Sequence, residues 1–418
     1  MTRLNIILKE VFLTILILLS FSMRADIYAQ EIKTGDVLPL WKEGYLDIHH
    51  INTGKGESTF FILPDGTTML VDAGVTSLKK PRATDPKPND SRTPGAWIAR
   101  YILHFMQGFP EKKLDYMIAS HFHEDHIGLV APDIQTSRTG AFQLSGLTEV
   151  GEWIPCATFI DRGWPDYQYP VPPESESTGN YIQFVKWKVA NEKSRAERFR
   201  VGANDQIRLT KNPQKYPHFE IRNIAANGHV WTGVGTIERN YFPAMKDVKE
   251  NSPNENACSI AFRISYGKFD YFTGGDLYSV TSEPWMDIET PVGRVTGPVE
   301  ACKANHHANF DTMGKLFLEA LRPQVVIIQN WCAQQPDFAV LRRMQSTKTY
   351  PGSRDVFTTN MMEETRIVAG TAVDKLKGAQ GHVVIRVNPG GADYHVYILD
   401  DTEENFKVKA IYGPYICN

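Results

Sequence analysis

Paired cysteines are missing from this sequence. Its five cysteines, Cys156, Cys258, Cys302, Cys332 and Cys417, are scattered singly, and none stands in a C-x-x-C arrangement. That excludes a zinc ribbon and a thioredoxin-like redox motif. An oxidising compartment would allow one or two disulfides, with at least one thiol left over. A positive charge excess is missing too: the formal net charge is −3, which gives no bulk electrostatic reason to bind nucleic acid or an anionic membrane. There is no G-x-S-x-G elbow to present a serine nucleophile and no phosphate-cradling P-loop. No internal repeat, low-complexity tract or long linker divides the chain. What is present is an ordinary globular mixture, 42% hydrophobic and 22% charged over 418 residues, ample for a sizeable core.

A membrane-length apolar run is also lacking. The run at residues 11–23 falls short of the about 20 residues that a span needs. Arg3 and Lys9 precede it, and Ile27-Tyr28-Ala29-Gln30 closes the polar stretch that follows. This pattern reads as a secretory signal peptide over residues 1–29. The mature chain is then expected to begin near Gln30, to be periplasmic or secreted, and to keep no membrane span. No cysteine at the run's end offers a site for a lipid anchor. Loss of Arg3, Lys9, Arg24, Glu10 and Asp26 moves the formal charge from −3 to −4.

The rest reads as strands at both ends with helices interspersed, which suggests stacked sheets with helices outside. Residues 46–51, 59–63 and 67–71 are strand-like, the last two joined by Pro64-Asp65-Gly66, which suits a hairpin. Thr93-Pro94 is an N-cap and a first-position proline, and Trp97, Ile98, Tyr101, Ile102 and Phe105 recur at helical spacing. Residues 114–119 form a strand leading to Ser120-His121. Residues 181–200 look helical. Later strands are expected near 217–225, 258–265, 268–273, 299–304 and 324–329, then near 382–387, 394–399 and 406–412.

Chemistry concentrates in Ser120-His121-Phe122-His123-Glu124-Asp125-His126-Ile127-Gly128. The chain has 12 histidines, and three of them fall in this short run beside an aspartate. His121 and His123 are two apart at a strand end, so in extended backbone they face the same way and can pinch one ion. Asp125 and His126 lie past a turn, and four such ligands suit two neighbouring ions better than one. Imidazole with carboxylate favours zinc, iron or manganese, and the lack of thiolates disfavours a closed structural zinc site. Distant partners are Asp276, in Thr273-Gly274-Gly275-Asp276, and the His306-His307 pair, each following an apolar strand-like run.

The H-x-H-x-D-H run, the earlier Leu70-Val71-Asp72-Ala73-Gly74, the later Gly274-Gly275-Asp276 and the double histidine, in this order, resemble the metallo-β-lactamase superfamily. Gly54-x-Gly56-Glu57-Ser58 and the double histidine resemble, more narrowly, the branch related to the hydrolase domain of competence DNA-uptake channel proteins. The resemblance covers about residues 42–330, leaving 331–418 as a strand-rich C-terminal extension of one domain over 30–418. It implies an α/β fold, a four-layer αβ/βα sandwich with metals at one edge between the sheets. It further implies that His121 and His123 bind a first metal, that Asp125, His126 and His306 bind a second, and that Asp276 bridges both. Asp72 would steady the histidine loop by hydrogen bonds, so that Asp125 and Asp72 carry the catalytic roles. Two zinc ions are expected, with iron or manganese as alternatives. Glu57, Ala308 and Asn309 depart from the branch, and these departures bear on the substrate pocket. The third histidine that the superfamily gives its first metal has no counterpart near Asn256; Asn256 itself or His229 is left to take that place.

The function so implied is an exported hydrolase that uses a metal-activated hydroxide on a phosphodiester, ester or lactone. The alternatives are a mononuclear iron oxidoreductase on the same fold and a non-catalytic, metal-stabilised binding protein. The partner expected is a small-molecule or phosphodiester substrate. Trp164, Tyr167 and Tyr169 could overhang a pocket or simply pack, and the basic residues Lys186, Lys188, Lys193, Arg195, Arg198 and Arg200 could hold phosphate or form a solvated face.

Overall fold

The structure is a computed structural model that describes residues 32–245, 253–279 and 284–418. The signal-peptide reading of residues 1–29 lies outside the described residues. The first strands are β1 (Leu46–His50), β2 (Thr59–Ile62), β3 (Thr68–Val71), β4 (Leu114–Ile118), β5 (Cys156–Asp161) and β6 (Arg195–Arg198). They lie side by side in chain order, antiparallel as far as β3 and parallel beyond it. A second sheet follows: β7 (Phe219–Ala226), β8 (His229–Trp231), β9 (Glu238–Asn240), β10 (Ala261–Tyr266), β11 (Phe269–Thr273), β12 (Ala301–Lys303), β13 (Val325–Ile328) and β14 (Asp355–Thr358). The chain then returns to the first sheet with β15 (His382–Val387), β16 (Asp393–Leu399) and β17 (Val408–Ile416), and β15 pairs antiparallel with β1. Residues 331–418 are thus built into both sheets rather than appended to them. Without β15, β1 would present an open edge, which sheets tend to cover.

Alternation along the strands creates the layers. Phe60 and Ile62 point to the helices Pro94–Phe105, Leu147–Trp153 and Glu176–Asn191, whereas Phe61 points between the sheets. In β13, Val325 and Ile327 face the sheet interface, and Val326 and Ile328 face the helices Glu289–Thr296, Lys315–Leu321 and Phe338–Gln345. Three apolar layers therefore separate four layers of secondary structure. This is the expected αβ/βα sandwich. Each fully buried Phe or Ile in these layers contributes about 1.5–3 kcal/mol.

Local capping rules hold at several helix starts, among them Thr93, Ser175 and Asp337. Thr93 accepts from Ala96 N and Pro94 opens the helix, as its sequence suggests. The helical reading of residues 181–200 needs correction. The helix runs Glu176–Asn191, Lys193 turns left-handed at φ 58°, and residues 195–198 become an edge strand beside β5. Lys188 pairs with Glu192, Arg198 with Asp166 and Arg200 with Asp205, so that three of the six basic residues are neutralised by local acids. All five cysteines are buried and free. Among the described residues, no helix is long and apolar enough to cross a membrane.

Candidate metal centre

The two sheets meet at one edge, where Ile260 N donates to Ser120 O at 2.8 Å. Just before this point β3 leads into Asp72, a left-handed residue with φ 60°, a conformation that Asp tolerates better than most. Its carboxylate accepts from Ser120 N at 2.7 Å and from Ser120 Oγ at 2.6 Å, and it lies 2.8 Å from His126 Nδ1. Asp72 thus holds both ends of the histidine run. With Nδ1 turned to a carboxylate, His126 presents Nε2 to the centre.

Backbone contacts fix the run from the other side. Ala73 N donates to His126 O, Gly74 N to Glu57 O, Val75 N to Glu124 O and Glu57 N to Asp125 O. Phe122, between the two leading histidines, donates its N–H to Glu255 Oε1 and lies under the Arg162 guanidinium, 4.6 Å from the ring centre. Arg162 is itself buried and ion-paired to Glu255.

The sequence-selected residues converge on Asp276. Its Oδ2 lies 3.7 Å from His121 Nε2, 3.5 Å from His307 Nε2 and 3.9 Å from His306 Nε2, and its Oδ1 lies 3.2 Å from His126 Nε2. His121 Nε2 and His123 Nδ1 are 3.1 Å apart. The ligand atoms of His121, His123 and Asp276 all fall within 4.8 Å of one another, and so do those of Glu57, His126, Asp276 and His307. Asp125 joins the second group, with Oδ2 3.1 Å from His307 Nε2 and accepting from Trp331 Nε1 at 3.1 Å.

The resemblance assigns His306 to the second metal, but of the pair it is His307 whose ligand atom joins that group. Its Nδ1 lies 2.7 Å from Gln329 O, which leaves Nε2 toward the carboxylates. His306 turns its Nδ1 to Asp311 at 2.7 Å and its Nε2 to Asn256 Nδ2 at 3.2 Å. His306, His307 and Ala308 are all left-handed, with φ of 43°, 52° and 59°. Each such residue costs of order 1–3 kcal/mol, and a run of them is the kind of strain that persists at sites of function. His229 belongs to neither cluster; it faces Glu238 and packs on Tyr169. Of the aromatic loop, Tyr167 is buried and donates to Asp161, and Tyr169 accepts from Asn240.

The donor set fits divalent cations. Asn256 Oδ1 is buried without a hydrogen-bond partner, and His126 Nε2 and Asp276 Oδ1, though 3.2 Å apart, are not aligned for a hydrogen bond. Burial opposes charge on His126, yet Asp276, Asp72 and Asp125 raise its proton affinity well above the ordinary range. Burial likewise opposes charge on His307, which Asp276 and Asp125 push up to about 10. At His121 burial prevails, helped by neighbouring His126, and the ring stays neutral. Asp276, despite burial, is held well below the carboxylate range by His126, His307 and His306. Left alone, the carboxylates draw protons onto His126 and His307. A divalent cation would supply that positive charge and leave both rings neutral as ligands.

One comparison falls on the same histidine–carboxylate stretch. A family model described as the metallo-beta-lactamase superfamily matches residues 52–132, the stretch with Glu57, Asp72 and the histidine run. Over that stretch the chain is similar to the superfamily. No curated protein matches it. Among solved structures, a HARLDQ-motif mutant of a metallo-beta-lactamase from Cronobacter sakazakii (Enterobacter sakazakii) is similar at 12% identity. That match covers 61% of this chain and 75% of that chain, with a TM-score of 0.30.

Proposed function

We propose that the protein is an exported, metal-dependent hydrolase of a phosphodiester, ester or lactone. The observation that carries this reading is Asp276, one carboxylate within 3.9 Å of four imidazoles. His121, His123 and Asp276 would hold one cation, and His126, His307, Asp276 and Asp125 a second. Such ions, when bound, supply Lewis acidity and make water a nucleophile near neutral pH. Asp72 and Gln329 O fix which nitrogens His126 and His307 present, and Trp331 walls the centre while donating to Asp125. No side-chain nucleophile is needed. The lean toward an anionic substrate rests on Lys80, whose Nζ sits 4.3 Å from the centre of the Trp331 ring. The resemblance to the competence-protein branch leans the same way.

The test is a panel of phosphodiesters, lactones and β-lactams, assayed together with metal content. Two zinc ions per chain and metal-dependent cleavage of a phosphodiester are expected. A single iron with oxygen consumption would instead establish the oxidoreductase, and a pure protein that binds no metal would overturn both.

The two clusters should differ in strength. The second is assembled from buried side chains, whereas the first ends in exposed His123 and has no third histidine. The first ion is therefore expected to leave first on dialysis against a mild chelator, with activity lost in that step. Simultaneous loss of both ions, or selective emptying of the first cluster by His229→Ala, would contradict this.

A further inference from the structure

Lys303 is fully buried at the end of β12, an expensive place for an ammonium group. Its Nζ donates to Glu57 Oε2 at 2.7 Å and to Gly275 O at 2.7 Å. Glu57 is almost as deeply buried, and its main chain is tied to Asp125 and Gly74. The centre gathers four buried or half-buried carboxylates, those of Glu57, Asp72, Asp125 and Asp276, around its imidazoles. Among the described residues, Lys303 is the one lysine or arginine that ion-pairs with any of them.

Glu57 has a ligand atom within 4.8 Å of those of His126, Asp276 and His307. Left to itself, a carboxylate in that place would join the second cation. His126, His307, Asp276 and Asp125 would already supply four ligands there, and a fifth from the protein would take the position that a catalytic site leaves to water or substrate. The oxygen that Lys303 holds lies 3.5 Å from His307 Nδ1, the nitrogen turned to Gln329 O and away from Asp276 and Asp125. The lysine therefore draws Glu57 toward the back of the His307 ring. We infer that Lys303 is a positioning residue: a resident cation that keeps Glu57 off the second metal and so keeps a coordination position open for substrate. This rests on the metal-centre reading above.

The experiment measures metal binding rather than turnover. Full-length protein stripped of metal is titrated with zinc in competition with a chromophoric chelator. Four forms are compared: wild type, E57Q, K303M and the K303M/E57Q double variant. E57Q should bind zinc within about twofold of wild type, because Glu57 is not a ligand; its amide oxygen can still accept from Lys303. K303M should bind the second ion at least about tenfold tighter, through the released carboxylate, and the double variant should return to the wild-type value. Loss of tenfold or more affinity in E57Q would show that Glu57 is already a ligand and overturn the inference. So would a folded K303M with no gain, or a gain that survives in the double variant. K303M strands a buried carboxylate; if circular dichroism shows that it fails to fold, E57Q alone decides. Wild type that binds no zinc would defeat the metal-centre reading and this inference with it, whereas weakened E57Q beside zinc-binding wild type would defeat this inference alone.

Discussion

Replacing Asp276 by alanine is expected to empty both metal clusters and lower turnover by at least about a thousandfold, the several kcal/mol that Lewis-acid stabilisation supplies. The reasoning is geometric. His121 and His123 share no other carboxylate within the 4.8 Å group that they form, and His126 and His307 meet at the same side chain. The fold should survive. Asp276 sits after β11 and joins none of the three apolar layers, and its main-chain N–H keeps Ser259 Oγ as acceptor. The imidazoles, relieved of their common counter-ion, can simply lose their protons, which avoids the penalty of an unpaired buried charge. His126→Ala offers the contrast: it should abolish turnover and empty the second cluster while sparing the first. Metal content by plasma emission, read beside a thermal melt, separates the two. Near wild-type turnover in Asp276→Ala protein would end the hydrolase proposal, whatever the metal content.

Much of this centre was legible because its information is local. His121, His123, Asp125 and His126 lie within one strand end and one turn, where spacing and residue type together already speak for a metal. Asp72 and Asp276 could be picked out because each follows a short apolar strand. Other features depend on contacts that no local window contains. Lys303 would ordinarily be placed outside by its charge, and its partner Glu57 is 246 residues away. Two adjacent histidines give no hint of which one faces the second cluster. That choice is made by three successive left-handed residues without a glycine among them, and no propensity rule anticipates such a run. The placement of β15 beside β1 is likewise a pairing across most of the chain, invisible to periodicity. The helix expected over 181–200 failed for a simpler reason. Helical composition continued beyond Asn191, but a left-handed Lys193 and the open edge of β5 turned residues 195–198 into strand.

Gly74→Ala is expected to have the largest effect on the fold of any single methyl group added near the centre. A β-carbon on Gly74 would come within 2.9 Å of Asp125 Cα and closer still to its carbonyl carbon and oxygen. Those are backbone atoms, so no rotamer change can relieve the clash. One of two things must move, and both matter. If β3's exit moves, it breaks the bonds from Ala73 N to His126 O and from Gly74 N to Glu57 O. If the turn moves, Asp125 and His126 leave the second cluster. Gly56 reinforces the constraint from the opposite side, since a β-carbon there would lie 2.6 Å from Gly74 C and 2.7 Å from Asp125 O. Overpacking of this kind costs about 1–3 kcal/mol where side chains can adjust, and against rigid backbone the cost should be about 3 kcal/mol or more. Zinc affinity should fall with stability, because the same displacement misplaces two ligands. Gly179→Ala is the control: nothing lies within 4 Å of its would-be β-carbon, it stands inside the helix Glu176–Asn191, and it should gain about 0.5–1 kcal/mol. Denaturant melts of the two variants, with and without zinc, measure the difference. Should Gly74→Ala melt and bind zinc as wild type does, the histidine run is more pliable than its backbone contacts imply, and its geometry cannot be what sets the metal site.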